Sequence, residues 1–259
     1  MISRPKITVI VTCFNSEAVI RPCLESASWA DEVFVVDSFS TDSTVDIVKE
    51  FGSRLVQHEY LCAADQKNWA IPQAEHEWVL ILDTDERITP ELRAEIETVV
   101  GNPEGCSGYW ISRLNYVFGK PLKHNPDWQL RLFLRDRGRY GDRQVHEQYK
   151  VDGTAGRLKN PLLHFNVRDL NQVNKVWMMK YAYWEAIQRN RDGVRFRPWH
   201  LFTRPIRAFV YRYFFQLQLL NGLEGFFWSA YMAGYFFLAY AWLWEMQRTG
   251  DANGARTAD

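Results

Sequence analysis

Four short strand-like segments, separated by segments with helical spacing, constrain the fold of this chain more than any other feature. They cover residues 7–12, 32–37, 55–58 and 78–82, and all but 55–58 are mainly apolar and β-branched. Apolar runs of this length are typical of strands buried on both faces of a parallel sheet. We predict helices over residues 16–28, 43–52, 65–74 and 90–100, with Ser16 and Thr89 as caps and Pro90 in a first turn. This alternation predicts an α/β fold with a mostly parallel sheet and helices on both faces.

Residues 105–165 follow a different pattern. Short strand-like runs at 108–112, 129–134 and 162–165 are separated by glycines and charged loops. We predict that they extend the sheet with antiparallel strands. Beyond them we expect one long helix over residues 170–191, and a disordered tail over residues 251–259.

The charge balance and the cysteines limit the class of protein. Lys and Arg total 31, as do Asp and Glu, so the formal net charge is zero. Nucleic-acid binders normally carry a basic excess, and we therefore expect no nucleic-acid partner. The four cysteines form no Cys-x-x-Cys pair and are predicted to be reduced thiols. Met1 leads directly into a strand-like run, with no pattern of a signal peptide, which favours a cytoplasmic location.

The last hundred residues contain an uncharged stretch, 225–244, preceded by a basic and aromatic segment, 196–213. The uncharged stretch has about the length that spans a bilayer, but it is rich in Tyr and Trp, which prefer the membrane interface. The basic segment suits an anionic membrane surface. We favour helices that lie on the membrane over a true span or a helix buried in protein.

Asp83, Thr84 and Asp85 directly follow the strand-like run 78–82. Ligands of open α/β sheets bind at the carboxyl ends of the strands. Two carboxylates at that edge are costly to bury without a partner, and a divalent cation such as Mn²⁺ or Mg²⁺ satisfies both and can hold a diphosphate. The alternative is a charged turn that caps the next helix.

Asp37 ends the second strand-like run at the same predicted edge. It can accept hydrogen bonds from a base or a ribose, while the polar loop after it can cap a helix through Asp42 or Ser43. No Gly-x-Gly-x-x-Gly follows the first strand, and the chain has neither a Gly-Lys-Ser/Thr loop nor a Gly-x-Ser-x-Gly elbow. The sequence therefore does not favour a dinucleotide-binding protein, a P-loop nucleotide-binding protein or a serine hydrolase.

The segments TVIVTCFNSE, EVFVVDSFSTDST, DQKNWAI and WVLILDTDERIT, in this order, resemble family 2 glycosyltransferases with the GT-A fold. The later segments RLFLRDRGRYGDRQVHEQ and LKNPLLHF resemble the branch of lipopolysaccharide-core β-1,4-glucosyltransferases. The resemblance implies a Rossmann-like domain over residues 1–168, with a nucleotide-binding half, 1–104, and an acceptor-binding half, 105–168. Residues 169–250 would form a helical, membrane-associating region.

The resemblance also implies roles for single residues, each named here at its position in this chain. Residues that would bind the nucleotide sugar are Thr12, Asn15, Glu17, Asp37 at the uridine, Lys67 at the diphosphate or base, Asp83 at the ribose or metal, and Thr84. Asp85 would be the main metal ligand, and His164 matches the position of a third ligand, with a hydrogen-bonded strand histidine as its alternative.

An inverting transfer needs a base that takes the proton of the attacking hydroxyl. By resemblance that base is Glu147, with Asp142 and Asp127 as rivals that spacing does not rank. Glu147 could instead be a surface residue that pairs with Arg143. Arg131 and Arg135 are candidates for binding phosphate or an anionic acceptor, or else solvated strand residues.

The expected function is an inverting, metal-dependent transfer of a hexose, most simply glucose, from a UDP-sugar to a saccharide or glycolipid acceptor. The expected setting is synthesis of lipopolysaccharide core or another envelope glycan, at the cytoplasmic face of the inner membrane. One alternative is a sugar-nucleotidyltransferase, although the loop TCFNSE lacks the Gly-rich, basic character of that class. Another is a catalytically inactive, sugar-nucleotide-binding scaffold on a membrane.

Overall fold

The computed structural model describes residues 5–124, 126–141 and 149–250. The chain forms two compact units. The first comprises Met1–Leu114 and Pro126–His164, and the second comprises Asn115–Asn125 and Phe165–Asp259. The predicted tail, 251–259, lies outside the described residues.

The first unit contains the predicted parallel sheet. Its strands are β1 (Ile7–Cys13), β2 (Glu32–Asp37), β3 (Arg54–Gln57) and β4 (Trp78–Asp83). They lie in the order β3-β2-β1-β4, and each neighbouring pair is parallel. The mostly parallel arrangement predicted from the apolar runs is therefore confirmed.

Helices cover both faces of this sheet. They are α1 (Ile20–Ala27), α2 (Thr44–Glu50), α3 (Ala63–Ala70), which a 3₁₀ turn at Ile71–Gln73 extends, and α4 (Pro90–Gly101). Successive side chains of a strand point to opposite faces. Val9 and Val11 accordingly pack with α1 and α4, while Ile10 packs with α3.

The helix starts depend on short-range hydrogen bonds. Thr89 caps α4 as predicted, because its side chain accepts the backbone N–H of Leu92 at 3.1 Å. The predicted cap at Ser16 is wrong: α1 begins later, and the Ser16 carbonyl instead accepts the N–H groups of Val19 and Ile20 in a preceding turn. Before α2, the Asp42 carboxylate accepts the N–H of Thr44 at 3.0 Å.

The part of the chain predicted to be antiparallel has more and longer strands than expected, and one of them, β11, pairs with β6 in parallel. They are β5 (Glu86–Arg87), β6 (Cys106–Val117), β7 (Lys120–Pro121), β8 (Asp127–Leu134), β9 (Gly138–Tyr140), β10 (Tyr149–Val151), β11 (Thr154–Arg157) and β12 (Leu162–Val167). The sheet continues from β4 in the order β8-β6-β12-β5, and β8 is antiparallel to both β4 and β6. The pair β9 and β10 forms a separate ribbon.

The second unit is mainly helical. It contains α5 (Leu170–Gln172), a π-helical stretch (Val173–Tyr181), α6 (Ala182–Arg191), α7 (His200–Val210), a π-helical turn (Tyr211–Phe215), a 3₁₀ turn (Gln218–Asn221) and α8 (Gly222–Thr249). The long helix predicted over residues 170–191 is helical along its whole length, but its middle, Val173–Tyr181, is π-helical. No glycine or proline marks that stretch in the sequence.

Helix α8 contains the uncharged stretch 225–244 and packs against α6 and α7. Its inward side includes Met232, Tyr235 and Tyr240. Among the helices that the structure describes, none combines the length and the apolar character that a membrane span requires.

Candidate active site

The carboxyl ends of β1, β2 and β4 meet at one edge of the sheet. In register, Thr12 of β1 lies beside Asp83 of β4, and Cys13 lies beside Asp37 of β2. The apolar part of β4 is fully buried, and burial decreases only at Asp83. The carboxylate predicted to follow the strand is thus positioned at the edge where ligands of such sheets bind.

Asp83 is held between two cations. Arg131 donates a hydrogen bond from Nη2 to Oδ2, and the Nζ of Lys67 lies 3.4 Å from Oδ1. Burial by itself raises the pKa of Asp83, but the charges of Arg131 and Lys67 outweigh it and hold that pKa well below its usual range. Asp83 is therefore ionised, and a metal ion that contacts it has to displace or share one of these partners.

Asp85 lies next to His164. The Nε2 of His164 is 3.5 Å from the Oδ2 of Asp85. The histidine is positioned by β12, whose antiparallel pairing with β5 places His164 opposite Glu86. Burial raises the pKa of Asp85, yet the charge and hydrogen bond of His164 lower it overall. An oxygen ligand and an imidazole nitrogen are thus adjacent, a donor set that suits Mn²⁺.

Asp85 and His164 together could bind a metal ion at this edge. Within the described ranges, no three His, Cys, Asp or Glu side chains form a ready metal-binding group. Two protein ligands leave positions that substrate phosphate oxygens can fill, as is common for Mg²⁺ sites. Asp85 and His164 therefore fit a cation that is completed by its substrate.

Glu86 and Arg113 belong to the same cluster and were missed in the sequence. Glu86 is 0% exposed. It accepts the Nη2–H of Arg131 at 2.7 Å and the backbone N–H of Asp83 at 3.0 Å, and it lies 3.6 Å from Nη1 of Arg113. Arg113 in turn pairs with Asp127. The position of Glu86 directly after Asp85 was an available signal, but no local pattern identified its partners.

These side chains form a network of alternating charge, which we call the edge network. Its members, in order of contact, are Lys67, Asp83, Arg131, Glu86, Arg113 and Asp127. Each carboxylate lies between or beside guanidinium or ammonium groups. A buried charge is tolerated when it is paired and hydrogen-bonded, and the network meets that condition.

Arg131 and Arg135 differ in their surroundings. Arg131 is 1% exposed, so its interpretation as a solvated strand residue is wrong. It contacts Asp83 and Glu86, and its predicted contact with phosphate or an acceptor stays a prediction. Arg135 donates to the Ala74 carbonyl at 2.9 Å and pairs with Asp136.

The loops after β1 and β2 are joined through Asn15 and Glu17. Asn15, in a left-handed conformation, donates its N–H to the Ser40 hydroxyl at 2.8 Å and accepts the N–H of Thr41 at 2.8 Å. The Glu17 carboxylate accepts the N–H of Ser43 at 3.1 Å. The predicted nucleotide residues are therefore brought together, and they organise these loops.

Asp37 is fully buried beneath the same loop. Its carboxylate accepts hydrogen bonds from the Ser40 N–H at 2.9 Å, from the Gln57 Nε2 at 3.0 Å and from the Ser40 hydroxyl. In this structure Asp37 fixes the loop after β2, and its predicted contact with uridine stays a prediction. Thr84 is partly buried, and its carbonyl accepts a hydrogen bond from Arg87 at 2.8 Å.

Of the three candidates for the catalytic base, the structure describes only Asp127. Glu147 and Asp142, with Arg143, lie outside the described residues. Asp127 pairs with Arg113 and accepts the Nε2–H of Gln129 at 2.7 Å. Burial raises the pKa of Asp127, but Arg113 lowers it overall. A lowered pKa makes Asp127 a weaker base.

Comparisons with known proteins agree with this geometry. The model of the family described as "Glycosyl transferase family 2" matches residues 8–164. The lipopolysaccharide core biosynthesis glycosyltransferase LpsC of Rhizobium meliloti is 30% identical over 247 residues, which cover 91% of this chain and 87% of LpsC. The uncharacterized glycosyltransferase RT0209 of Rickettsia typhi is 26% identical over 276 residues, which cover 93% and 87% of the two chains.

A solved structure shows the fold. The mannosyltransferase PcManGT of Pyrobaculum calidifontis, in complex with GDP-Man and Mn²⁺, superposes with a TM-score of 0.54 over 94% of this chain and 88% of its own, at 16% identity. At that identity the likeness shows a shared GT-A-like, mixed α/β fold.

Proposed function

The chain belongs to glycosyl transferase family 2 and is a glycosyltransferase, and on this premise we propose that it transfers a hexose from a UDP-sugar with inversion. The proposed acceptor is a saccharide or glycolipid of the lipopolysaccharide core or of another cell-envelope glycan. The observation that carries the proposal is the pair of Asp85 and His164 beside the ionised Asp83 at the sheet edge. The family assignment rules against a sugar-nucleotidyltransferase and an inactive scaffold.

The donor's nucleotide is assigned to the joined loops after β1 and β2. Thr12, Asn15, Glu17 and Asp37 shape these loops, and their backbone is fixed by the hydrogen bonds between them. Lys67 contributes a cation on the same side as Asp83. A diphosphate gains charge-assisted hydrogen bonds from such a group. Glucose and uridine as the donor's parts come from the family resemblance.

Asp85 and His164 would hold the proposed cation, Mn²⁺ or Mg²⁺, with Asp83 as an adjacent carboxylate. A bound cation would supply the charge that neutralises the diphosphate and makes it a better leaving group. The fold relative PcManGT was crystallised with GDP-Man and Mn²⁺, which supports a cation in this role. The low pKa of Asp83 keeps its charge available at this edge over the physiological pH range.

Glu147 is the proposed general base. It removes the proton of the acceptor hydroxyl as that hydroxyl attacks the sugar. A single displacement inverts the anomeric centre. Arg131 keeps Asp83 and Glu86 in place at the sheet edge. The relative LpsC is a lipopolysaccharide core biosynthesis glycosyltransferase, which supports an acceptor of that class.

We also propose that residues 196–213 bind the surface of a membrane on its cytoplasmic face. Several large apolar side chains of this segment and the turn after it stay exposed, among them Phe202, Ile206 and Phe215, the last at 76%. Arginines alternate with them along the chain. Exposed aromatic groups with interspersed cations suit an anionic interface.

The test is a screen of nucleotide sugars, with UDP-glucose, UDP-galactose, UDP-N-acetylglucosamine and GDP-mannose as donors. We expect consumption of a UDP-hexose that needs Mn²⁺ or Mg²⁺, stops with chelator and resumes when metal is restored. Asp85→Asn should lower the rate about 100-fold or more, since a metal ligand contributes several kcal/mol to such a transition state.

The matched control is Asp46→Asn on α2, where the same chemical change affects a carboxylate that is 81% exposed. It should leave the rate unchanged. Failure of every donor under every metal condition contradicts the proposed reaction. An unchanged rate in Asp85→Asn contradicts the metal site alone.

A further inference from the structure

A cleft within the helical unit has a lining dominated by arginine. Its volume is about 370 Å³, and α6, α7, the π-helical turn after α7 and α8 form its walls. The lining includes Arg189, Arg204, Arg207, Arg212, Tyr211 and Tyr240. We call it the arginine cleft. None of these residues belongs to the edge network.

The arginine cleft has an excess of positive charge. Arg189 pairs with Glu185 at 2.6 Å, and Arg212 donates to the Gln216 side chain at 3.4 Å. Across residues 5–124, 126–141 and 149–250, Arg204 and Arg207 form no ion pair with a carboxylate. Arg204 and Arg207 therefore add to the lining two positive charges that pair with no carboxylate of the described residues. Such a concentration of like charge raises the free energy of the folded chain and attracts anions.

Two of the guanidinium groups are held in place by one aromatic ring. Tyr240 is 1% exposed, and its hydroxyl accepts a hydrogen bond from Nη1 of Arg189 at 2.9 Å. The guanidinium carbon of Arg189 lies 4.9 Å from the centre of this ring, and that of Arg204 lies 5.7 Å from it. Contacts of this kind restrict the two guanidinium groups in the absence of a ligand, which lowers the entropic cost of binding.

The lowered pKa of His200 is consistent with an excess of positive charge near the arginine cleft. Burial lowers the pKa of this imidazole, and the charges of Arg204, Arg197 and Arg189 lower it further. A neighbouring histidine thus experiences a positive potential that carboxylates do not cancel.

We propose that the arginine cleft binds a phosphoryl group. Guanidinium groups form paired hydrogen bonds with phosphate oxygens, and they are used for this purpose more than lysine is. The volume of the cleft is within the range of small-ligand pockets. The exposed Phe202, Ile206 and Phe215 of the same chain segment indicate a lipid headgroup as the source of the phosphoryl group. That source rests on the proposed membrane association, whereas the phosphoryl site itself does not.

The experiment uses the full chain and vesicles of phosphatidylcholine that contain either phosphatidic acid or oleate at equal surface charge. Inorganic phosphate, compared with chloride at equal ionic strength, serves as the soluble probe in calorimetry. We expect tighter binding to phosphatidic acid than to oleate, and competition by inorganic phosphate. Oleate vesicles that bind as tightly as phosphatidic acid vesicles, together with no saturable binding of inorganic phosphate, would overturn the proposal.

Two double variants separate the cleft from the general charge of the unit. Arg204→Gln with Arg207→Gln should weaken phosphate-dependent binding about 10-fold or more, since hydrogen bonds to charged groups contribute strongly. Arg195→Gln with Arg248→Gln removes the same charge at exposed positions outside the lining and should change binding less than about 3-fold. Equal losses in the two variants overturn the cleft as a site.

Folding and source are controlled separately. Arg204→Lys with Arg207→Lys keeps the charge but removes the paired N–H donors of the guanidinium groups. We expect a several-fold loss of affinity for phosphate, with an unchanged midpoint of thermal unfolding. Full retention of affinity would overturn recognition by the guanidinium groups. Saturable binding of inorganic phosphate without any preference for phosphatidic acid vesicles supports the site and overturns the lipid source. Metal-dependent consumption of the sugar donor, measured on the same variants, should stay unchanged, and it tests the proposed reaction independently.

Discussion

The edge network of the first unit and the arginine cleft of the second use the same side chain in opposite ways. In the edge network, Arg131 and Arg113 each lie between carboxylates, and the signs alternate from Lys67 to Asp127. In the arginine cleft, Arg189 pairs with Glu185, whereas Arg204 and Arg207 form no ion pair with a carboxylate of the described residues. A balanced cluster positions its own members, whereas an unbalanced one is completed by a ligand.

Burial explains why the two clusters differ. Arg131 is 1% exposed, and so deep a charge requires protein partners. The side chain of Arg189 is 25% exposed, and Arg207 is exposed, so water and ions can compensate for missing carboxylates. From this difference in charge balance and burial we derive separate predictions for turnover, for stability and for pH dependence.

The largest expected effect concerns turnover near the edge network. Glu147→Gln should lower kcat about 100- to 10,000-fold, because the acceptor hydroxyl loses its base, while affinity for the donor stays within a few-fold. Single-turnover kinetics and donor titration measure the two quantities. Asp127→Asn and Asp142→Asn are the rivals. If transfer persists in Glu147→Gln and stops in one of them, that residue takes the role of base.

The next effect concerns the stability of the balanced cluster. Arg131→Met leaves Asp83 and Glu86 without their shared cation and should lower the free energy of unfolding by about 3–5 kcal/mol. Urea denaturation measures the change. Arg93→Met breaks an exposed pair with Glu97 and should cost at most about 1 kcal/mol. Similar losses in the two variants would show that the edge network contributes no more than a surface pair.

The helical unit can be probed with one substitution at two positions of α8. A Cβ at Gly225 would lie 1.9 Å from the carbonyl oxygen of Gln218, so Gly225→Ala should cost about 1–3 kcal/mol through overpacking. A Cβ at Gly234 would meet its nearest atom, of Met178, at 3.4 Å. Gly234→Ala should therefore stabilise the helix by up to about 1 kcal/mol. Thermal unfolding with equal shifts in both variants would contradict the close approach at Gly225.

The smallest effect is a pH dependence in the first unit, away from the candidate metal ligands. Glu32 accepts hydrogen bonds from the Thr8 hydroxyl at 2.6 Å and from the backbone N–H of Glu75 at 2.7 Å, and it pairs with Arg54. Burial raises its pKa, but these partners lower it overall. A carboxyl whose pKa is lower in the folded state stabilises the fold above its unfolded pKa and loses that contribution as pH falls.

Glu32→Gln should therefore lower the free energy of unfolding by about 1–2 kcal/mol at pH 7, a difference that shrinks as pH falls below about 4.3. Urea denaturation at a series of pH values measures it. A difference that is constant with pH would show that shape, and not charge, determines the effect at this position.

Local patterns were sufficient for the strands and for the placement of the acidic motif. The strand-like segments predicted β1 to β4 to within a residue or two. For β1, β2 and β4 the reason is that a strand buried on both faces favours a continuous apolar run, whereas β3 is a partly exposed strand. The same runs predicted that Asp83 and Asp37 lie at the same edge of the sheet. The π-helical stretch at Val173–Tyr181 was not predicted, since periodicity over so few residues does not separate it from a regular helix.

By itself, the sequence determined the fold class, the family and the edge of the sheet that carries the chemistry, because these depend on periodicity and on residues that are neighbours in the chain. Only the tertiary structure decided that Arg131 pairs with Asp83, 48 residues away, and that Arg189 contacts Tyr240, 51 residues away. Such partners are chosen by long-range packing. A charge whose partner is distant in sequence looks the same locally whether it is paired, buried or left for a ligand.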